Sequence, residues 1–171
     1  GDGTVKGGAV EQMRDASLDL LVDLAGPAPR DRVLDYATGA GVAGFALAPD
    51  VESVEAADEQ PDLLEEGRRL AAELGLFNVA FTLVDLYALS YKDGEFSLIV
   101  CEDAFHLLPE PVAALAELQR VLSDGGASSS WTRSWTRSPT VPSTRSPGCG
   151  SRPIVVTTWP ASWTTSSPAP A

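Results

Sequence analysis

Apolar residues gather in short runs whose period changes along the chain, marking out alternating helices and strands. Met13, Leu18, Leu21, Val22 and Leu24 recur at helical spacing and predict one helix over 9–24, ended by Gly26-Pro27-Ala28-Pro29. Residues 32–36 form a compact apolar strand, and a glycine-rich turn then opens a helix over 42–48 that Pro49 stops. A second strand is predicted over 53–57. Pro61 suits the first turn of the next helix, which carries Leu63, Leu64, Leu70 and Leu74 and closes at Gly75. A third strand covers 79–84, and Lys92-Asp93-Gly94-Glu95 turns into a fourth over 96–101. Pro111 opens a helix to Leu122 with Val112, Leu115, Leu118, Val121 and Leu122 directed inward. Strands alternating with helices predict an α/β fold, a Rossmann-like doubly wound and mostly parallel sheet.

The pattern breaks after Gly126. Residues 127–171 hold no Asp, Glu, Lys, Leu, Phe or Tyr, yet contain all four tryptophans. All 24 acids and eight of the 12 bases precede this tail. A Ser/Thr/Pro-rich disordered tail fits poorly with so many tryptophans, because such tails are usually poor in aromatics. A slip of reading frame fits better. Trp has a single codon, so one base earlier each of Trp131-Thr132, Trp135-Thr136 and Trp163-Thr164 becomes Leu, Met or Val followed by Asp. With GC-rich codons the tail then reads as an apolar strand followed by an amphipathic, charged sequence. The expectation is a core over 1–126, with an aberrant tail over 127–171 that is irregular or disordered from about Arg133. The C-terminal strands are missing or degraded, except that 127–131 could add a poor strand, and the fourth strand is at risk of an unpaired edge.

The chemistry concentrates in Val33-Leu34-Asp35-Tyr36-Ala37-Thr38-Gly39-Ala40-Gly41. An apolar strand ends in an acid, and glycines let backbone amides approach a ligand closely before a helix begins. That is a nucleotide-type site in an open α/β sheet. Gly39-x-Gly41-x-x-Gly44, with Asp58 at the end of the second strand, also fits a dinucleotide fingerprint. Asp35 opposes a pyrophosphate, since each like-charge contact costs roughly 3 kcal/mol at about 5 Å and an effective dielectric of about 20. A sulfonium and ammonium ligand without phosphate suits the same acid.

Four segments in order resemble the class I S-adenosylmethionine-dependent methyltransferases, and most closely their quinone-type and small-molecule members. They are residues 33–41, Val54 to Glu65, Val84-Asp85-Leu86-Tyr87-Ala88-Leu89 with Phe96 to Val100, and Arg120-Val121-Leu122-Ser123-Asp124-Gly125-Gly126. The resemblance implies S-adenosyl-L-methionine as cofactor, bound by Asp35, Ala37, Gly39, Gly41, Asp58, Glu59, Asp85, Leu86 and Glu102. Asp35 would hold the methionine end, Asp58 the ribose hydroxyls, and Asp85 with the Leu86 amide the adenine. Local structural roles stand beside these: Asp35 and Asp85 as turn acids and Asp58 as a cap for the helix at Pro61.

The loop after the fourth strand holds His106, the single histidine, as candidate general base for methyl transfer to a small-molecule acceptor; a packing or surface histidine is the plain alternative. An NAD(P)-dependent oxidoreductase, or a noncatalytic member keeping only the core, are the competing readings. No metal-ligand set is readable.

Charge and composition narrow the partners. A net charge of −12 disfavours nucleic acid and anionic membrane. Cys101 and Cys149 make no disulfide framework, and Cys101 in an apolar strand is expected to be a buried thiol. No apolar run reaches membrane-spanning length and no signal peptide opens the chain, so a cytoplasmic protein is expected, with Gly1-Asp2-Gly3 a cloning remnant or internal start. Sequencing the encoding DNA around the Gly126 codon is expected to show that shifting the frame by one base restores an acid-bearing reading; unrelated codons in all frames overturn the slip.

Overall fold

The computed structural model describes residues 7–123 and 154–157. Two short helices, α1 (Gly7–Met13) and α2 (Ala16–Ala25), lead into β1 (Arg32–Tyr36) and α3 (Val42–Leu47). There follow β2 (Ser53–Asp58), α4 (Pro61–Leu74), β3 (Val79–Leu83), β4 (Leu98–Glu102), α5 (Pro111–Val121) and β5 (Ile154–Thr157). The five strands form one sheet in the order β3-β2-β1-β4-β5, every neighbouring pair parallel. The fold is therefore α/β and Rossmann-like. Strand order reverses between β1 and β4, the place where open α/β sheets bind ligands beyond their carboxyl ends.

Alternate residues of the buried strands feed two cores. Val33, Val54, Leu98 and Val100 pack with Leu18 and Leu21 of α2, Phe45 and Leu47 of α3, and Leu64 and Ala71 of α4. On the opposite face Leu34, Tyr36, Ala57, Ile99 and Cys101 meet Ala114, Leu118 and Val121 of α5, together with Leu86, Leu89 and Phe96 of the loop between β3 and β4. Arg120 fastens that loop to α5: its guanidinium donates to the carbonyls of Leu89 and Tyr91, both at 2.8 Å, and to Asp93 and Glu117. Glu117 in turn accepts from the Leu89 amide at 2.8 Å.

Several expectations change. The single helix over 9–24 is two, because Asp15 accepts hydrogen bonds from the amides of Ser17 and Leu18 and so caps a new helix start. That break leaves Met13 38% exposed, outside the core it was expected to join. Val112 is 82% exposed, since the buried stripe of α5 runs Ala114, Leu118, Val121 and passes the first turn by. The fourth strand starts at Leu98 and the second continues to Asp58. Within the tail, Ile154–Thr157 is a strand, with Ile99 opposite Ile154 and Glu102 opposite Thr157, so this side of β4 is paired where an open edge was expected. An Ile-Val-Val run supplies the β-branched side chains a sheet position favours, and Val155 is buried. The strand expected over 127–131 lies outside the described residues. Among the described residues no helix is long and apolar enough to cross a membrane.

Two glycines set how closely α4 and the turn after β1 approach β3. The Phe81 ring lies over both: a Cβ on Gly41 meets it at 2.9 Å, and a Cβ on Gly67 runs into that ring and comes within 2.8 Å of the Ala40 carbonyl oxygen. Gly67→Ala is expected to destabilise the chain by about 1–3 kcal/mol in urea unfolding, although alanine is the better helix former. An unchanged or raised midpoint overturns the role of that contact.

Candidate functional site

The carboxyl ends of β1, β2 and β4 converge on a turn that the glycines make possible. Ala37, Gly39 and Gly41 all have left-handed backbone, with φ of 56°, 59° and 93°. Gly39 and Gly41 adopt it at no steric cost, whereas Ala37 is strained there. Asp103, directly after β4, shares that strain at φ 48°. Non-glycine residues held this way persist where the surroundings over-determine them, commonly around ligand sites. A Cβ on Gly39 would meet nothing within 4 Å, so this glycine faces open space, unlike Gly41.

Asp35 holds the turn from beneath. It is 1% exposed, and its Oδ2 accepts from the Thr38 hydroxyl at 2.6 Å and from the Gly44 amide at 2.8 Å. The close approach needs Gly44, whose added Cβ would lie 3.0 Å from that same oxygen. Asp35 Oδ1 is buried without a hydrogen-bond partner. Burial above all, then the charges of Glu102 and Asp58, outweigh the two hydrogen bonds and push the carboxyl up to about 7. Asp35 therefore combines the loop role and an unused, electron-rich oxygen.

Asp58 is likewise buried, at 5% exposure. Its Oδ2 accepts from the Gly39 amide at 2.8 Å and its Oδ1 from the Gln60 amide at 3.0 Å, joining the tip of β2 to the turn after β1 and to the start of α4. Glu59 is exposed, and its Oε1 accepts from the Leu86 amide at 3.3 Å. Asp85 is exposed and its Oδ1 closes a turn by accepting from the Tyr87 amide at 2.8 Å. The Leu86 carbonyl accepts from the hydroxyl of buried Tyr36 at 2.7 Å. Glu102, half-buried at the tip of β4, is raised by burial and by the charges of Asp103 and Asp15. Asp35, Ala37, Gly39, Gly41, Asp58, Glu59, Asp85, Leu86 and Glu102 thus line adjacent strand ends and their loops.

His106 stands on the short turn Phe105–Leu107, 42% exposed, with Nδ1 3.9 Å from Asp103 Oδ1. Burial pushes the Cys101 thiol up to about 12, so it stays protonated and chemically quiet. Among the described residues no group of three His, Cys, Asp or Glu side chains could hold a metal ion. Thr38, Tyr36 and Asp15 join the site without having been singled out for it, and Gly44, named only in the dinucleotide fingerprint, donates to Asp35. Thr38 and Gly44 lie inside the glycine motif, and a hydroxyl three residues after a strand-end acid is a local hydrogen-bonding signal. Nothing in the sequence marks Tyr36, whose hydroxyl partner lies 50 residues away, or the charge of Asp15 acting on Glu102. A separate hollow of ≈ 360 Å³ between α4 and β3 is lined by Arg68, Leu76, Phe77 and Phe81 and lies away from these acids. Its one cation, Arg68, already donates to the Phe81 carbonyl and pairs with Glu65.

Residues 33–126 match the family described as a methyltransferase domain. The chain is similar to the aklanonic acid methyltransferase DauC of Streptomyces sp. (strain C5), at 34% identity over 62% of this chain and 50% of the relative. It is 40% identical to the demethylmenaquinone methyltransferase of Thermus thermophilus, over 61% of this chain and 48% of that protein. The crystal structure of YcgJ from Bacillus subtilis superposes with a TM-score of 0.62 at 32% identity, covering 64% of this chain and 47% of that one. The chain spans about half the length of the curated relatives it matches.

The raised Asp35 carboxyl sets a pH dependence of stability. Between its ordinary value of 3.8 and about 7 the folded chain keeps a proton that the unfolded chain has released. The stabilisation is complete below about pH 4 and is lost as pH rises through 7. Asp35→Asn mimics the protonated form. The variant is expected to match wild type near pH 4 and to be more stable at pH 8 by about 2 kcal/mol or more in urea unfolding. Equal stability at pH 8 contradicts a buried, charge-frustrated Asp35.

Proposed function

The chain belongs to the methyltransferase-domain family, and on that premise we propose that it transfers the methyl group of S-adenosylmethionine to a small-molecule acceptor. The single observation that carries this reading is Asp35, a buried acid at the switch point with one oxygen free of partners. The hydrogen bonds that Asp35 and Asp58 accept come from backbone amides and a hydroxyl, none from a cation. A cationic ligand relieves the mutual repulsion of Asp35, Asp58 and Glu102, whereas the pyrophosphate of NAD(P) adds to it. The donor and acceptor set therefore fits a sulfonium and ammonium compound of adenosine.

In this proposal Asp35, Glu102 and the Gly39 turn hold the methionine end, with Ala37 and Gly41 shaping the backbone around it. Asp58 accepts from ribose hydroxyls alongside its two amide partners. Asp85 accepts from the adenine amino group and the Leu86 amide donates to the ring, replacing its long contact with Glu59. When bound, S-adenosylmethionine supplies an electrophilic methyl on sulfur. The contribution of the protein is chiefly to orient the acceptor for in-line attack and to exclude water from the crevice. We assign to His106, after β4 with Nδ1 3.9 Å from Asp103 Oδ1, the role of taking a proton from the acceptor. All these residues lie within 1–126, the unit to which we assign binding. We place the protein in the cytoplasm, acting on a small molecule and not on nucleic acid.

Calorimetric titration of the chain separates this reading from an oxidoreductase. S-adenosylhomocysteine is expected to bind and NADH not, and Asp58→Asn to weaken S-adenosylhomocysteine about tenfold or more, as loss of a charged hydrogen-bond acceptor does. Binding of NADH alone overturns the proposal. Binding of S-adenosylhomocysteine without methyl transfer to any acceptor instead selects the noncatalytic alternative.

A further inference from the structure

We infer that Tyr36 is a positioning residue that sets the base preference of the cofactor site, by fixing the Leu86–Tyr87 peptide from the end of β1. The inference rests on the proposed reading of Asp85 and Leu86 as the base-binding pair. Tyr36 is fully buried at the last position of β1, and its neighbours across the sheet include Ala57 of β2. Its hydroxyl donates to the Leu86 carbonyl at 2.7 Å, a bond spanning 50 residues of sequence. Burial pushes the phenol above its ordinary range, so the hydroxyl is a donor at neutral pH.

A peptide unit is planar, so a bond to the Leu86 carbonyl constrains the Leu86–Tyr87 unit, whose other end, the Tyr87 amide, donates to Asp85 Oδ1 at 2.8 Å. The Leu86 amide points at Glu59 Oε1, 3.3 Å away on the crevice side. Asp85 precedes it in a turn closed by the Tyr87 amide on Asp85 Oδ1, with Asp85 and Ala88 also bridged. The two groups that can tell an amino-bearing base from its oxo counterpart are thus held by local bonds plus two long-range bonds, that to Glu59 and that from Tyr36, of which only the Tyr36 bond comes from a buried side chain. The same tyrosine ends the strand whose next residues, Ala37 to Gly41, make the glycine turn. Tyr36 therefore ties both halves of the proposed crevice to one rigid strand. The aromatic ring fills its place in the core regardless; the hydroxyl is what serves the site.

The test is the ratio of dissociation constants for S-adenosylhomocysteine and its 6-oxo analogue S-inosylhomocysteine, measured by calorimetry. Wild type is expected to prefer the adenosyl compound by about tenfold or more, since a site built to pair with a polar group discriminates strongly against its mismatch. Tyr36→Phe keeps the ring and is expected to reduce the ratio to about twofold or less. Leu47→Val, a core substitution on the opposite face, lowers stability and is expected to leave the ratio unchanged. Para-aminophenylalanine at position 36 keeps a donor in place; it is expected to restore the wild-type ratio, and it tests the role even where Tyr36→Phe fails to fold. Wild-type discrimination that survives in Tyr36→Phe, or an aminophenylalanine variant that has lost it, overturns the role of Tyr36 and leaves the site reading intact. A wild-type chain that binds neither compound overturns the site reading and this inference with it.

Discussion

The carboxylate of Asp35, sealed beneath the turn that follows β1, is the constraint around which the rest of the structure is arranged. One of its oxygens gathers the Thr38 hydroxyl and the Gly44 amide, fixing where the chain leaves the strand and where α3 begins. That geometry leaves a Cβ at Gly44 only 3.0 Å from the same oxygen, and it places Gly39 within reach of Asp58 at the tip of the next strand. The other oxygen is left over, in a place where ionisation is costly. A fold optimised for stability alone favours an uncharged acceptor such as an amide there. Under the proposed function, a cationic ligand arriving from outside would offset that cost, with stability traded for recognition.

The same arrangement explains why the candidate surface is spread over loops and still well defined. Each loop is tied to a strand or helix other than its own: Gly39 to Asp58, Leu86 to Tyr36 and Glu59, and Leu89 and Tyr91 to Arg120 and Glu117. A net of long-range bonds of this kind orders irregular backbone without a helix between β3 and β4. It also concentrates charge. Asp15 and Asp103 add to the field at Glu102, so the crevice repels anions on several sides at once.

On the opposite edge, β3 is blunted rather than covered. Arg68 donates to the Phe81 carbonyl, taking up one outward-facing acceptor, and its stem lines the hollow beside Phe77. At the other edge the four-residue strand Ile154–Thr157 continues the sheet beyond β4. Backbone pairing asks little of sequence beyond extended, β-branched residues, which is why Ile154-Val155-Val156 can serve although the surrounding composition is unlike that of the core.

Local rules carried most of the fold. Periodicity, Pro61 and Pro111 at helix starts, and Gly75 at a helix end gave strands and helices within a few residues of those observed, because those signals act within one turn or one strand. The glycine motif and the acids at strand ends placed the candidate crevice for the same reason. Helix α1 separates from α2 because the Asp15 side chain competes with the backbone for its own amides, a choice that apolar spacing does not register. Met13 and Val112 turned outward because burial depends on where neighbouring elements lie. What only the folded chain decided was the partnership of residues far apart: Tyr36 with Leu86, Arg120 with the 89–93 loop, and the lone oxygen of Asp35. Those depend on three-dimensional proximity and shielding from water, which set the strength of every polar contact and are properties of the packed sheet rather than of any segment in it.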